Sequence, residues 1–215
     1  MTSLELLSLD PSLRAGASIV ATFDDLPVEF RLPNDDGPSK HSSTRVGGSI
    51  AAGTEALQVQ ILGHPDGSLT LRLLSETDVF FHYARTLTHS GFAALQEQQQ
   101  LLADLDSLPA MLLDLFEQCK AGQQIRCCFV LTSDSTANFD IISNAHSFRI
   151  VELFSLKMDR APEAETQLLI SFRYNGLRAR LNSAVSKMDD LVTAVRHRHP
   201  QLLDDIEQEL FGVDE

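Results

Sequence analysis

The chain has 215 residues, 43% of them hydrophobic, which suits one domain of ordinary size with appendages and excludes wholesale disorder. Thirty acidic side chains against 17 basic ones give a net charge of −13, which argues against nucleic-acid binding, since that depends on neutralising phosphates with Lys and Arg. No apolar run approaches the roughly eighteen residues of a membrane span, and the acidic, base-free start (Glu5, Asp10) is not a signal peptide, so no membrane contact and a cytoplasmic location are expected.

Residues 1–17 show no clear period and read as a loose N-terminal arm. Ile19 to Phe23 is strand-like. Val28, Phe30 and Leu32 then alternate with Glu29 and Arg31, the period of a half-buried strand. The polar, Gly- and Ser-rich residues 33–54 read as a flexible loop, because they cannot bury enough to offset ordering. Leu57, Val59 and Ile61 alternate with Gln58 and Gln60, and Leu69, Leu71 and Leu73 alternate with Thr70 and Arg72. The Asp66-Gly67 pair between them is a hairpin signal, since both residues tolerate positive φ. Val79 to Tyr83 is read as the next strand.

Thr88 is read as the N-cap of a helix whose apolar stripe is Phe92, Leu95, Leu102 and Leu105, ending at Asp106-Ser107. Ser107 is read as the cap of a second helix with Pro109 in its first turn. Leu108, Met111, Leu112, Leu115, Phe116 and Cys119 give it one apolar face, and Gly122 ends it. Ile125 to Leu131, apolar on both faces, is a central strand. Phe139 to Ile142 is another, Ser143 to Ser147 a turn, and Phe148 to Met158 a long strand. In that last strand Val151 and Leu153 share one face while Phe154, Leu156 and Met158 share the other, a switch that predicts a bulge.

After Ala161-Pro162 the period turns helical. Ile170, Tyr174, Leu177, Leu181, Ala184, Met188, Leu191 and Val195 form an a/d heptad seam of about three and a half heptads. Gly176 weakens it by about 1 kcal/mol, and in a parallel pair Arg173 would meet Arg178 across the rim. A helix this marginal needs a partner or its head domain to persist. The close cluster Arg173, Arg178 and Arg180 reads as a solvated helix face. Pro200 ends the helix, and residues 200–215 form an acidic, amphipathic tail with Leu203, Ile206, Leu210 and Phe211.

The sequence offers no chemistry. It has no Gly-rich phosphate loop, no G-x-S-x-G elbow and no H-E-x-x-H. His197 and His199 lie about 200° apart on a helix and cannot share a metal. His82 and His89 sit near Asp78 and Ser90 in sequence, without spacing that implies a triad. Cys119, Cys127 and Cys128 lack a C-x-x-C pair, suit a reducing compartment and read as core residues, with Cys127 and Cys128 on opposite strand faces. No catalytic, cofactor-binding or metal-binding residue and no small-molecule substrate is expected.

One resemblance is specific. Arg72-Leu73, Thr77-Asp78, Phe80-Phe81, Tyr83, Phe92, Leu95, Gln98-Gln99, Leu101-Leu102, Asp104, Pro109, Leu112 and Cys119 match the head-domain pattern of the spindle assembly abnormal protein family, the centriolar cartwheel proteins, which this chain therefore resembles. The match covers about residues 57–160. Gln100 stands where the family has Gly, a change expected only to straighten the helix. The resemblance implies an α+β fold: an antiparallel β-sandwich or barrel head (residues 18–160) with an inserted helix–turn–helix, then a C-terminal helix (161–199) that begins a coiled coil. It further implies a self-assembling cytoskeletal scaffold. A hydrophobic side chain at the tip of the late hairpin enters a pocket of another head, and helix pairing joins the chains.

Here Phe148, flanked by Ser147 and Arg149, takes the tip position. It follows a polar turn, where an aromatic is a natural interface anchor on physical grounds alone. The helix-pairing residues are those of the seam: Ile170, Tyr174, Leu177, Leu181, Met188, Leu191 and Val195. Its partners are expected to be copies of itself and other centriolar or flagellar scaffold proteins. The resemblance implies a place at the centriole or basal body. The short seam is similar to that of relatives that keep the head and lose the rod, which are associated with flagellar or apical structures and not with the cartwheel itself. Two other readings stay open at this point: an end-joining DNA-repair scaffold of similar head fold, and a monomeric cytoskeletal adaptor.

Overall fold

The computed structural model describes residues 16–31, 53–146, 149–198 and 201. Residues 1–15 of the N-terminal arm, Leu32, nearly all of the 33–54 loop, Ser147, Phe148, His199, Pro200 and the acidic tail apart from Gln201 therefore lie outside the described residues. Two compact units divide the chain, one ending at Leu168 and the other taking in the long helix from Leu169 onward.

The first unit is a seven-stranded barrel. Its strands are β1 (Ser18–Arg31), β2 (Gly53–Gly63), β3 (Leu69–Ser75), β4 (His82–Leu87), β5 (Ile125–Leu131), β6 (Thr136–His146) and β7 (Arg149–Arg160), and they run around it in the order β1-β2-β3-β4-β7-β6-β5. Every neighbouring pair is antiparallel except β1 and β5, whose parallel ladder from Val28↔Cys127 to Arg31↔Val130 closes the barrel. Helices α1 (His89–Gln99) and α2 (Leu108–Lys120) are inserted between β4 and β5. This is the strand and helix order that the sequence pattern implies.

The two strand-like runs before the first gap are one strand. Its register slips between Phe23 and Leu26, and Asp25 sits in the left-handed region with φ 59°. The bulge turns Phe23, Leu26, Val28 and Phe30 all inward. Gly53 and Thr54 belong to β2, paired with Phe30 and Glu29, and not to a loop. The β2–β3 turn is as its sequence predicts: Gly67 has φ +79°, and Asp66 accepts hydrogen bonds from the Ser68 N–H and hydroxyl. The predicted bulge in β7 is present too, where pairing passes from Ile141↔Phe154 to Ile142↔Glu152 and Leu153 is the extra residue.

Four expectations need correction. β4 begins at His82; Val79 and Phe80 sit exposed in the preceding turn, where the Asp78 carboxylate accepts from the Phe80 N–H and the Asp78 carbonyl from the Phe81 N–H. The first helix stops at Gln99, because Gln100 turns left-handed with φ 54° and ψ 41°. A Gly there would relieve strain, so the Gly-to-Gln change does not straighten the helix, and Leu102 leaves the stripe to stand fully exposed. Ser107 holds the N-cap position of α2, as expected, but its side chain makes no capping bond: its hydroxyl accepts from the Asp104 N–H and donates to the Asp104 carbonyl. Finally, residues 143–146 extend β6 and are not a turn.

Aromatic rings fill the barrel. Phe81 meets Phe30, Tyr83 and Phe129 with centroids 5.6, 5.1 and 5.2 Å away, and Tyr83 meets Phe129 at 4.9 Å. Phe116 carries α2 onto the barrel by packing between Phe23 and Phe139, at 5.5 and 6.2 Å. Contacts of this kind contribute about 0.5–1.5 kcal/mol each beyond area burial.

Candidate self-association surfaces

Two features of the sequence point outward, and each has its own element beneath it. The first is the β6–β7 hairpin. Pairing continues to His146↔Arg149, after a second slip beyond Ser143↔Val151, so only positions 147 and 148 fall between the paired strand ends. Ser147 and Phe148 themselves, and the Arg149 side chain, lie outside what is described. The hairpin is well founded. Asn144 N–H donates to the Gln124 carbonyl at 2.7 Å, tying β6 to the start of β5. On β7, Ile150 is exposed at 61%. An open cleft of about 530 Å³ lies at the base of the hairpin, lined by Gln118, Gln123, Gln124, Ile125 and Ser143.

The second feature is helix α3 (Glu163–Arg198), which forms the second unit from Leu169 onward. It has acids in its first turn (Glu163, Glu165) and bases in its last (Arg196, Arg198), the arrangement that its dipole favours. Along it, Tyr174, Leu177, Leu181, Met188 and Leu191 are all 62–65% exposed. Ile170 and Val195 are half-buried at the two ends of the row. Val185 and Val192, which the seam reading did not include, are exposed beside it. Five large apolar side chains therefore form one exposed row along the helix.

Among the described residues, His82, Arg72 and the three cysteines are engaged in packing. His82 is completely buried on β4. Its Nδ1 lies 3.2 Å from the Thr166 hydroxyl in the first turns of α3, and its Nε2 has no partner among the described residues. Burial, helped by the nearby Arg72 charge, holds its pKa down to about 4. His89 is exposed at the start of α1 and Asp78 is engaged in a turn, so no triad forms. Arg72 is itself buried, with its guanidinium Nε donating to the Gln60 side chain at 3.1 Å. Sequence alternation marks Arg72 as outward-facing, and nothing in the sequence signals that Arg72 or His82 is covered. All three cysteines are buried and free; burial pushes the Cys128 thiol up to about 11, and Cys127 is raised by its hydrogen bond with Cys119. Among the described residues, no group of three or more His, Cys, Asp or Glu is placed to hold a metal, and no helix is long and apolar enough to cross a membrane.

Comparison with known proteins bears on these surfaces. A family model described as the centriolar protein SAS N-terminal domain (SAS-6_N) matches residues 23–158. The spindle assembly abnormal protein 6 homolog of Danio rerio is 32% identical over 109 residues, covering 46% of this chain and 17% of that protein. Its Mus musculus counterpart is 27% identical over 165 residues, covering 72% of this chain and 25% of that protein, so the chain spans a quarter or less of each of these relatives. An N-terminal fragment of Leishmania SAS-6 that contains part of its coiled coil domain superposes with TM-score 0.67 at 17% identity, over 89% of this chain and 98% of the fragment. An N-terminal fragment of Drosophila melanogaster Sas-6, dimerised via the coiled-coil domain, gives TM-score 0.67 at 13% identity, over 94% of each.

Proposed function

The chain belongs to the SAS-6 N-terminal domain family of centriolar proteins, and on that premise we propose that it is a non-enzymatic scaffold that assembles with copies of itself. The observation that carries the proposal is the solvent-facing seam of α3. Burying a Leu or Met side chain fully is worth about 1.5–3 kcal/mol, and Leu177, Leu181, Met188 and Leu191 are each mostly exposed in one chain. A second α3 laid along Ile170, Tyr174, Leu177, Leu181, Met188, Leu191 and Val195 would recover much of that. The coiled-coil dimer of the Drosophila fragment supports the same arrangement.

The second contact is head to head. Phe148, with Ser147 and Arg149 beside it, inserts into another head from the end of the β6–β7 hairpin. In support, the ladder runs to His146↔Arg149 and leaves just two positions at the tip. A weak head contact combined with helix pairing gives assembly by avidity, and the angle between the two decides ring or filament. In this reading residues 18–160 are the head and 161–199 the pairing helix, with an arm at 1–17 and an acidic tail at 200–215. The scaffold sits in the cytoskeleton, at the centriole or basal body or in a flagellar or apical structure, beside other scaffold proteins there.

Sedimentation velocity over a dilution series tests the proposal. Mass should rise with concentration beyond one chain and beyond two. A mass fixed at one chain throughout overturns it.

A further inference from the structure

One strand of the barrel lacks a neighbour along much of its length. β4 pairs with β7 only at Tyr83↔Arg160 and Ala84↔Asp159, so from Lys157 back to Ile150 the side of β7 away from β6 meets no strand. Ser155 turns both of its backbone groups to that open side, where the Gln99 amide takes them. Successive residues of a strand bond to alternate sides, so Lys157 faces the same way. The extra residue at Leu153 then shifts the alternation by one. Phe154 pairs with Ile141 and Val151 with Ser143, two residues apart on β6, which leaves Glu152 and Ile150 to point their N–H and C=O groups outward.

Edge strands are ordinarily blunted by a charge, a bulge or a covering element. Below Leu153 the Gln99 bracket and the exposed Lys157 serve that purpose. Above it, among the described residues, neither Ile150 nor Glu152 makes a backbone bond on the open side, and both side chains are exposed. β6 holds this stretch extended from its other side, through Ser143↔Val151 and His146↔Arg149.

A bare backbone edge specifies its ligand, because only an extended chain presents donors and acceptors at the matching repeat. Ile150 and Glu152 lie two apart on one face, so the incoming strand fits best with an apolar side chain and a cation at the same interval. A second copy supplies no such cation: within the open stretch, antiparallel registers of β7 on β7 set Glu152 against Glu152, Ile150 or position 148.

We propose that the open edge of β7 at Ile150 and Glu152 takes an extended segment of another protein as an added strand, with Lys or Arg beside Glu152 and an apolar side chain beside Ile150. The site is separate from the α3 seam. Gln99 marks its lower end, since a strand running past the bulge must displace the amide from Ser155.

The test uses the full chain and short synthetic peptides: one with Val and Lys two residues apart among threonines, one with Glu in place of Lys, and two forms of the Lys peptide N-methylated on one or the other alternate set of amides. Fluorescence anisotropy reads affinity, and hydrogen exchange reads the Ile150 and Glu152 amides. The Lys peptide should bind at least about tenfold more tightly than the Glu peptide, slow both amides, and lose binding with one methylated set only. Glu152→Lys should exchange the preference between the two peptides. Absence of binding overturns the proposal, as does binding indifferent to N-methylation, which means a side-chain contact and not an added strand. Slow exchange of the two amides in the chain alone also overturns it: loss of that protection on dilution gives the edge to a second copy, and its persistence gives it to the chain itself. Helix pairing is read separately by sedimentation and stands or falls apart from these outcomes.

Discussion

The side-chain amide of Gln99 makes both backbone hydrogen bonds of Ser155: its Nε2 donates to the Ser155 carbonyl, and its Oε1 accepts from the Ser155 N–H at 3.0 Å. β7 needs this because β4 pairs with it only at Tyr83↔Arg160 and Ala84↔Asp159. Beyond Ala84 the edge of β7 is completed by a glutamine from the end of α1, just past the bulge at Leu153. The inserted helices therefore brace the strand that leads to the hairpin tip.

Replacing Gln99 with Ala should strip a donor and an acceptor from half-buried backbone, costing about 1–3 kcal/mol. Urea unfolding would read the loss as a lower midpoint at unchanged slope. Gln99→Glu should lose most of the same stability at neutral pH, because a carboxylate can accept from Ser155 but cannot donate to it. Retention of the wild-type midpoint by both variants would remove Gln99 from its bracing role.

Gln100 holds φ 54° at the end of α1, a conformation that costs a residue with a Cβ about 1–2 kcal/mol. Gln100→Gly should therefore stabilise the head by roughly 0.5–1 kcal/mol, the remainder being offset by the added freedom of the unfolded chain. Thermal melts of the two proteins compare them directly. A lower melting temperature for the glycine variant would contradict this.

These two neighbours mark how far the sequence could be read. Alternation located the barrel strands, and the i, i+3, i+4 row from Leu108 to Cys119 located α2, because each pattern records burial directly. The β7 bulge was visible for the same reason, as a change of buried face at Leu153. The stop of α1 at Gln100 was not, since a left-handed Gln leaves no mark in a hydrophobic pattern. The Gln99–Ser155 bracket and the burial of His82 and Arg72 depend on which element covers a polar face, a tertiary fact. On α3 the heptads marked Tyr174, Leu177, Leu181, Met188 and Leu191, which are exposed in one chain, whereas Val185 and Val192 beside them drew no notice because they fall off the a and d positions.

Acid should loosen the head through His82. Its folded pKa of about 4 lies below the ordinary histidine value near 6.5, so the unfolded chain takes up a proton that the fold refuses. The sign follows: full stability holds above about pH 6.5 and declines as pH falls toward 4, by up to about 3 kcal/mol. His82→Gln, which can still bond Thr166 but does not titrate, should flatten that part of the decline. Parallel pH curves for the two proteins would assign the acid sensitivity elsewhere.

Leu181→Glu puts a charge at the centre of the seam. Helix pairing should weaken by at least about tenfold, with the melting of the barrel unchanged because Leu181 belongs to the second unit. Sedimentation equilibrium and circular dichroism separate the two effects. A wild-type association constant in this variant would exclude the seam as the pairing surface.

The head contact is tested most directly by Phe148→Glu, measured by sedimentation velocity against the wild-type chain over the same concentrations. The wild type should grow beyond a pair, and the variant should stop at the pair that α3 can make, with its barrel fold intact by circular dichroism. Coincident concentration dependence for the two proteins would contradict assembly through the hairpin tip.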